Sequence, residues 1–220
     1  MANPNKMTYD RYLERCVSIA GSSDEALDAC AKGTSSTSRF AAYFTLTRNE
    51  WKGLKLFMGE NNNDGVMQRG EGAMCAACHT ADWTNTSDYE LSVVTPSWAP
   101  KGKVPPIFTD HTYDNLGIPK NPHSLTINNP IDLGLGAFKE GYDGNFRVLS
   151  LRNIGDTSPY GHNGLFENLY DIVHFYNSRD VESLGEAEVP STMNTDELGN
   201  LGLSYKQEMQ LVQFLKTLSD

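Results

Sequence analysis

Residues 70–83 read Gly-Glu-Gly-Ala-Met-Cys-Ala-Ala-Cys-His-Thr-Ala-Asp-Trp. At their centre Cys75, Cys78 and His79 stand in the Cys-x-x-Cys-His spacing at which a c-type haem is attached. The spacing has a mechanical reason. Two thiols three residues apart lie on one turn, and each can reach a neighbouring haem vinyl group. The next residue, His79, then comes back over the porphyrin to bind iron axially. Gly72 and Ala73 before the motif, and Ala76 and Ala77 within it, leave the backbone room to lie on the ring. A neutral imidazole is an ordinary proximal ligand. A structural zinc site would need a second paired set, and Cys16 and Cys30, fourteen apart, are not spaced like one. A thioredoxin-type redox pair wants a strand–helix context that is absent. The motif therefore predicts one covalent haem c.

Upstream of the motif, Thr47 and Glu50 form a capping box, with Leu46 and Trp51 placed to close as a hydrophobic staple. They start a helix that runs to about Met58, where Gly59 and the Asn/Asp/Gly run at 61–65 break it. Residues 8–16 read as a short amphipathic helix. Residues 21–38 read as a loop with one helical turn at its centre, and 33–38 as a flexible low-complexity stretch. Cys16 and Cys30 are candidates for a disulfide, with two buried free thiols as the alternative.

Downstream, residues 84–136 carry seven prolines and few periodic signals. They read as loops and short extended pieces around a cofactor, a length of loop that is unusual without a functional reason. Residues 146–154 read as extended and 159–164 as a turn. A helix is predicted over 165–177, where Leu169, Ile172, Val173 and Tyr176 share one face. A last helix starts at Ser204, capped with Gln207, and buries Leu211, Val212, Leu215 and Leu218. No strand pattern is strong enough for a sheet. The predicted fold is mainly α: a cytochrome c-like haem domain with short helices and long loops over 38–220, preceded by an N-terminal extension over 1–37.

The 220 residues carry a formal net charge of −10. An acidic surface argues against nucleic acid and anionic membrane as partners. It suits a basic redox partner, or solubility alone. No run of eighteen apolar residues exists, so no membrane span is expected. The first twenty residues have no continuous apolar stretch, so no signal peptide is visible. Covalent haem is attached outside the cytoplasm, which predicts a periplasmic or extracellular protein whose export signal lies outside this sequence.

The second axial ligand decides whether the iron mainly carries electrons or stays open to small molecules. The candidates are Tyr176, Met193, Met67, His162 and His174, and spacing alone favours none of them. Met193 lies in a loop, and Tyr176 lies on the apolar face of its helix. His174 points away from that face, towards solvent. His162 sits in a Gly/Asn turn that favours a structural hydrogen bond. Arg152 is a candidate for a haem propionate through its fork of donors, or for anchoring a loop. Trp83 and Trp98 are candidates for the walls of the haem pocket.

Several segments taken in order resemble one family. They are TLTRNEWKGLKLF before the motif, then FTDHTYDNLGIP, IDLGLG, FRVLSLRNIGDTSPYGHNGLFENLYDIVHFYN and LGLSYKQEMQLVQFLKTL after it. The chain over about 38–218 resembles the C-terminal half of the bacterial di-haem cytochrome c peroxidase and MauG family. The resemblance implies two haem domains, of which the N-terminal one reacts with hydrogen peroxide and the C-terminal one passes electrons. It implies a distal methionine in the peroxidases, at the end of the helix after the Pro-Tyr-x-His-x-Gly segment, and a tyrosine in MauG-like members. The matching position here is Tyr176. A phenolate is a hard anionic donor that stabilises ferric iron and lowers the potential relative to methionine. The family also binds calcium between its domains, and the matching backbone carbonyls are those of Thr157 and Pro159. The remaining protein ligand to that ion would come from the other half.

The chain departs from the pattern in carrying a single Cys-x-x-Cys-His motif, and in its Cys16–Cys30 insertion. The resemblance thus implies an electron-transfer domain of a peroxidase or MauG-like oxidoreductase. Its partners would be a second haem domain or subunit and a small electron-transfer protein, with hydrogen peroxide reacting at the partner haem. A stand-alone mono-haem c-type electron carrier, or a haem subunit of a larger complex, is the alternative.

Overall fold

A computed structural model describes residues 7–59, 72–88, 95–123 and 131–219. The fold is mainly α, with few and short strands. Four helices precede the haem motif: α1 (Thr8–Ala20), α2 (Asp24–Lys32), α3 (Ser36–Thr45) and α4 (Arg48–Met58). Two follow it: α5 (Leu169–Ser178) and α6 (Tyr205–Lys216). Between them the chain makes short turns and two antiparallel pairs. β1 (Thr84–Asn85) pairs with β2 (Lys103–Val104), and β3 (Tyr113–Asp114) with β4 (Phe146–Arg147).

The core forms where α4 crosses α6. Gly53 permits the crossing, because a Cβ there would lie 2.0 Å from the Gln210 carbonyl oxygen and 2.7 Å from Phe214 Cβ. Phe57 of α4 and Phe214 of α6 meet with ring centroids 5.1 Å apart, and Phe108 and Tyr9 complete an edge-to-face cluster around them. All four rings are fully buried, and such arrangements add to the area they remove from water. Tyr9 belongs to α1, so residues ahead of 38 enter the same core. Tyr9 N–H also donates to the Thr217 carbonyl at 3.1 Å.

Local chemistry explains the helix ends. The capping box at Thr47 and Glu50 closes with bonds of 2.6 and 3.3 Å, and Gly59 ends α4 in the left-handed region at φ +75°. Ser204 and Gln207 start α6 in the same way. The run at 61–65 lies outside the described residues.

Three sequence expectations are corrected. Residues 21–38 are not a loop with one helical turn: Ser23 caps α2, whose Leu27, Cys30 and Ala31 are buried, and Ser35 caps α3. The serine-rich stretch at 33–38 is structured because Ser38 is buried and donates to the Ala29 carbonyl at 2.7 Å. Helix α5 starts at Leu169, four residues later than predicted. Asn168 caps it there, and Phe166 pairs instead with Tyr160 in an antiparallel bridge. Cys16 and Cys30 are joined by a disulfide between α1 and α2. Tyr9 and Tyr12 lie beside it, their hydroxyls donating to the Ala31 and Cys30 carbonyls at 2.8 and 2.6 Å.

Candidate haem site

Cys75–Ala77 form one short 3-10 turn that begins after Met74, a residue in the left-handed region at φ +46°. His79 N–H closes the turn on the Cys75 carbonyl at 2.8 Å. The turn is tied at both ends. Ala73 N–H donates to the Leu56 carbonyl of α4 at 2.8 Å, and Asp110 N–H donates to the Cys78 carbonyl at 2.9 Å. The motif is therefore mounted on α4 and on the loop that carries the core ring Phe108.

His79 is oriented by backbone. Its Nδ1 bonds the Phe108 carbonyl oxygen at 3.0 Å, so Nε2 is the nitrogen a metal would take. Phe108 is a fully buried core ring in the left-handed region at φ +59°, a conformation a bulky residue adopts only when its surroundings enforce it. Burial lowers the His79 pKa, against the opposing pull of the Phe108 carbonyl, Asp110 and the Leu149 carbonyl. The ring is thus neutral, which is the ligating form. Burial pushes the Cys75 thiol up to about 12 and the Cys78 thiol up to about 11, with Glu197, Asp110 and Asp114 adding to Cys78. Both sulfurs are neutral thiols at physiological pH.

Tyr176 packs against the same core as Cys75 and Ala76. Burial raises its phenol pKa above the ordinary value, and charges at Cys75, Asp114 and Cys78 raise it further. Met193 lies in other surroundings. A Cβ on Gly117 would meet its Sδ at 2.2 Å, and it lines a pocket of about 270 Å³ with Arg179, Asp180 and Pro190. None of Cys75, Cys78, His79 and Tyr176 lines that pocket. Met67 falls outside the described residues.

The other sequence candidates have partners of their own. His162 stacks on Phe146 with ring centroids 3.9 Å apart and bonds Glu188 through Nε2 at 2.8 Å. His174 is not turned to solvent, as its position off the apolar face predicts, but is half-buried against α6. Its Nδ1 bonds Glu208 at 2.8 Å and its Nε2 bonds Glu182 at 3.3 Å. Arg152 pairs with Asp10 of α1 at 2.7 Å through Nη1, and its Nε donates to the Pro106 carbonyl at 2.8 Å. Thr157 and Pro159 lie on an exposed loop. Among the described residues, no group of three or more His, Cys, Asp or Glu side chains is gathered to hold a metal ion. Trp83 and Trp98 pack edge to face, 6.1 Å between centroids, against the core beside the motif. Trp83 Nε1 is buried and has no hydrogen-bond partner among the described residues.

These residues fit a covalent c-type haem. The site offers two neutral thiols on one turn, a neutral imidazole held by its far nitrogen, a phenol packed against the same core, and a buried indole N–H that lacks an acceptor among the described residues. The Phe108 carbonyl is the functional group that sequence reasoning missed. A main-chain acceptor carries no side-chain signal, and only its left-handed phenylalanine marks it.

No family model matches the chain. MauG of Paracoccus denitrificans is 35% identical over 134 residues, which cover 51% of this chain and 35% of MauG. A cytochrome-c peroxidase of Denitromonas iodatirespirans is 30% identical over 138 residues, covering 52% of this chain and 35% of the peroxidase. Over about half of its length the chain is thus similar to MauG and to cytochrome-c peroxidases. Among solved structures, the di-haem peroxidase BthA of Burkholderia thailandensis superposes with a TM-score of 0.57 at 25% identity, covering 90% of this chain and 48% of that one. A MauG-like protein associated with microbial copper homeostasis shares the fold, with a TM-score of 0.50 at 23% identity. The chain thus spans about a third of the curated relatives it matches and just under half of these solved chains. Among its described residues, no helix is long and apolar enough to cross a membrane.

Proposed function

We propose that this chain is the electron-transfer haem domain of a MauG-like di-haem oxidoreductase, corresponding to the C-terminal half of the family, and works outside the cytoplasm. The observation that supports the proposal most is the Cys75–Cys78–His79 turn, whose histidine is held through Nδ1 with Nε2 left for a metal, and which packs against the same core as Tyr176. In this reading Cys75 and Cys78 would hold one haem c through thioethers, and His79 and Tyr176 would bind its iron. When bound, the haem supplies a reversible one-electron couple. The chain supplies the rest. Phe108 keeps the proton on His79 Nδ1. Tyr176, once its phenolic proton is displaced, offers an anionic oxygen that favours the ferric state. Met193 is the alternative distal ligand. Trp83 Nε1 is a donor for a haem carboxylate, whereas Arg152, the sequence candidate for that role, is engaged with Asp10. Calcium at the Thr157 and Pro159 carbonyls would need ligands from the second domain.

The partner in this proposal is a second haem domain or subunit that reacts with hydrogen peroxide. The test is reconstitution. The haem-loaded chain, mixed with a separately produced peroxide-reactive haem domain of the family, is expected to support electron flow to peroxide. Cys75→Ser with Cys78→Ser is expected to abolish both covalent haem and that flow. Turnover that is the same with and without the chain would overturn the proposal. The single Cys-x-x-Cys-His motif supports a second reading, a stand-alone electron carrier. That reading requires rapid exchange of electrons with a small redox protein and no dependence on another haem domain.

A further inference from the structure

The last turn of α5 is laced from outside by the segment that leads into α6. The terminal carbonyls of a helix have no partner within it. Here the Tyr176 carbonyl accepts from Gly199 N–H at 2.7 Å, and the Asn177 carbonyl accepts from Leu201 N–H at 3.0 Å. The buried Asn177 side chain then grips the backbone of Leu203 twice. Its Oδ1 accepts from Leu203 N–H at 2.9 Å, and its Nδ2 donates to the Leu203 carbonyl at 2.9 Å. The same Nδ2 donates to Glu208 Oε1 of α6 at 2.7 Å, and His174 Nδ1 bonds that oxygen at 2.8 Å.

Glu208 is 2% exposed. A buried carboxylate is costly, and a well-packed apolar residue is often at least as stable in its place. Its partners in α5, Asn177 and His174, bracket Tyr176 in sequence. Tyr176 lies about 100° around the helix from Asn177, so a lock on Asn177 also sets where the phenol points. A greasy α5–α6 contact would bury as much area without fixing that rotation, because dispersion and burial are not directional.

We propose that Asn177 and Glu208 are positioning residues that lock the rotation of α5 against α6 and so aim the Tyr176 phenol at the Cys75–His79 turn. The inference rests on the reading of Tyr176 as the distal iron ligand. The test uses the haem-loaded full chain and the tyrosinate ring modes enhanced in its resonance Raman spectrum, with helix content and haem content as folding controls. Tyr176→Phe defines the spectrum without the phenol. Asn177→Ala and Glu208→Ala are expected to lower the ratio of tyrosine-bound to unbound iron roughly tenfold at unchanged helix content. Glu208→Gln keeps an oxygen that accepts from Asn177 and is expected to retain most of the signal. Wild-type spectra from Asn177→Ala and Glu208→Ala, beside an altered Tyr176→Phe, would overturn the positioning role alone. An unchanged Tyr176→Phe spectrum overturns the ligand reading and the positioning role with it. Should Glu208→Ala fold poorly, Glu208→Asp takes its place, since its shorter reach breaks the bond to Asn177. A full wild-type signal in that variant counts against the proposal.

Discussion

The carbonyl of Phe108 selects which nitrogen of His79 faces a metal, and the Phe108 ring is part of the central aromatic cluster. One residue thus couples His79, the proposed metal ligand, to the core. Phe108→Ala is expected to cost about 3–5 kcal/mol through the cavity it leaves. It is also expected to loosen His79, because the left-handed backbone at 108 loses the packing that enforces it. Denaturant unfolding followed in parallel with the haem spectrum checks both effects. Loss of stability with an unchanged ligand field would show that the carbonyl is held without the ring. At this scale the sequence is informative where the chemistry lies in side chains. The proposed haem residues Cys75, Cys78 and His79 are read from spacing, and Tyr176 from a resemblance. The Phe108 carbonyl is not legible, since any residue at 108 supplies one. The pairing of His174 with Glu208 is likewise hidden, because it depends on how α5 and α6 meet.

At the scale of elements, the helix pair α4–α6 depends on one absent methyl group. Gly53→Ala is expected to destabilise the fold by about 1–3 kcal/mol or more, because the new Cβ meets main-chain atoms of α6 that cannot move aside. Thermal unfolding of the variant checks this. An unchanged midpoint would mean that the helices slide apart freely. Helix α1 leads to a pH dependence. Burial raises the Tyr9 and Tyr12 phenols above their ordinary value, with their mutual charge adding at Tyr9. In the unfolded chain both ionise near pH 10. The folded chain then holds more protons than the unfolded chain above that pH, so stability falls as pH rises from about 10 upward. Each phenol contributes a slope of up to about 1.4 kcal/mol per pH unit. Tyr12→Phe is expected to flatten this decline in urea midpoints measured from pH 8 to 12, and an identical slope would refute it. The caps of α4 and α6 are readable in sequence because Ser/Thr and Glu/Gln three apart act locally. Helix α2 escapes such reading. Its nine residues are stabilised by contacts with Tyr9 and Tyr12 and by the Cys16–Cys30 bond, all of which depend on distant pairing.

For the whole molecule, the chain accounts for just under half of the solved chains it superposes on. A haem domain that passes electrons to a second one needs a surface that attracts its donor. The net charge of −10 is expected to speed encounter with a basic redox protein at low ionic strength. The rate should fall steeply as salt is raised, which stopped-flow reduction at several salt concentrations measures. A salt-independent rate would remove electrostatics from partner choice. The mainly α fold with long loops is legible because prolines and weak periodicity mark the loops, while capped amphipathic segments mark α4 and α6. The two short antiparallel pairs are not legible, since two-residue strands leave no periodic trace.

The central claim is that His79 and Tyr176 share one iron held by Cys75 and Cys78. Low-temperature electron paramagnetic resonance of the ferric haem-loaded chain, compared with Tyr176→Phe, tests it most directly. The account predicts a low-spin wild type and a variant that turns high-spin or takes a new ligand. An identical low-spin signal in the two proteins would contradict it and would move the distal ligand to Met193.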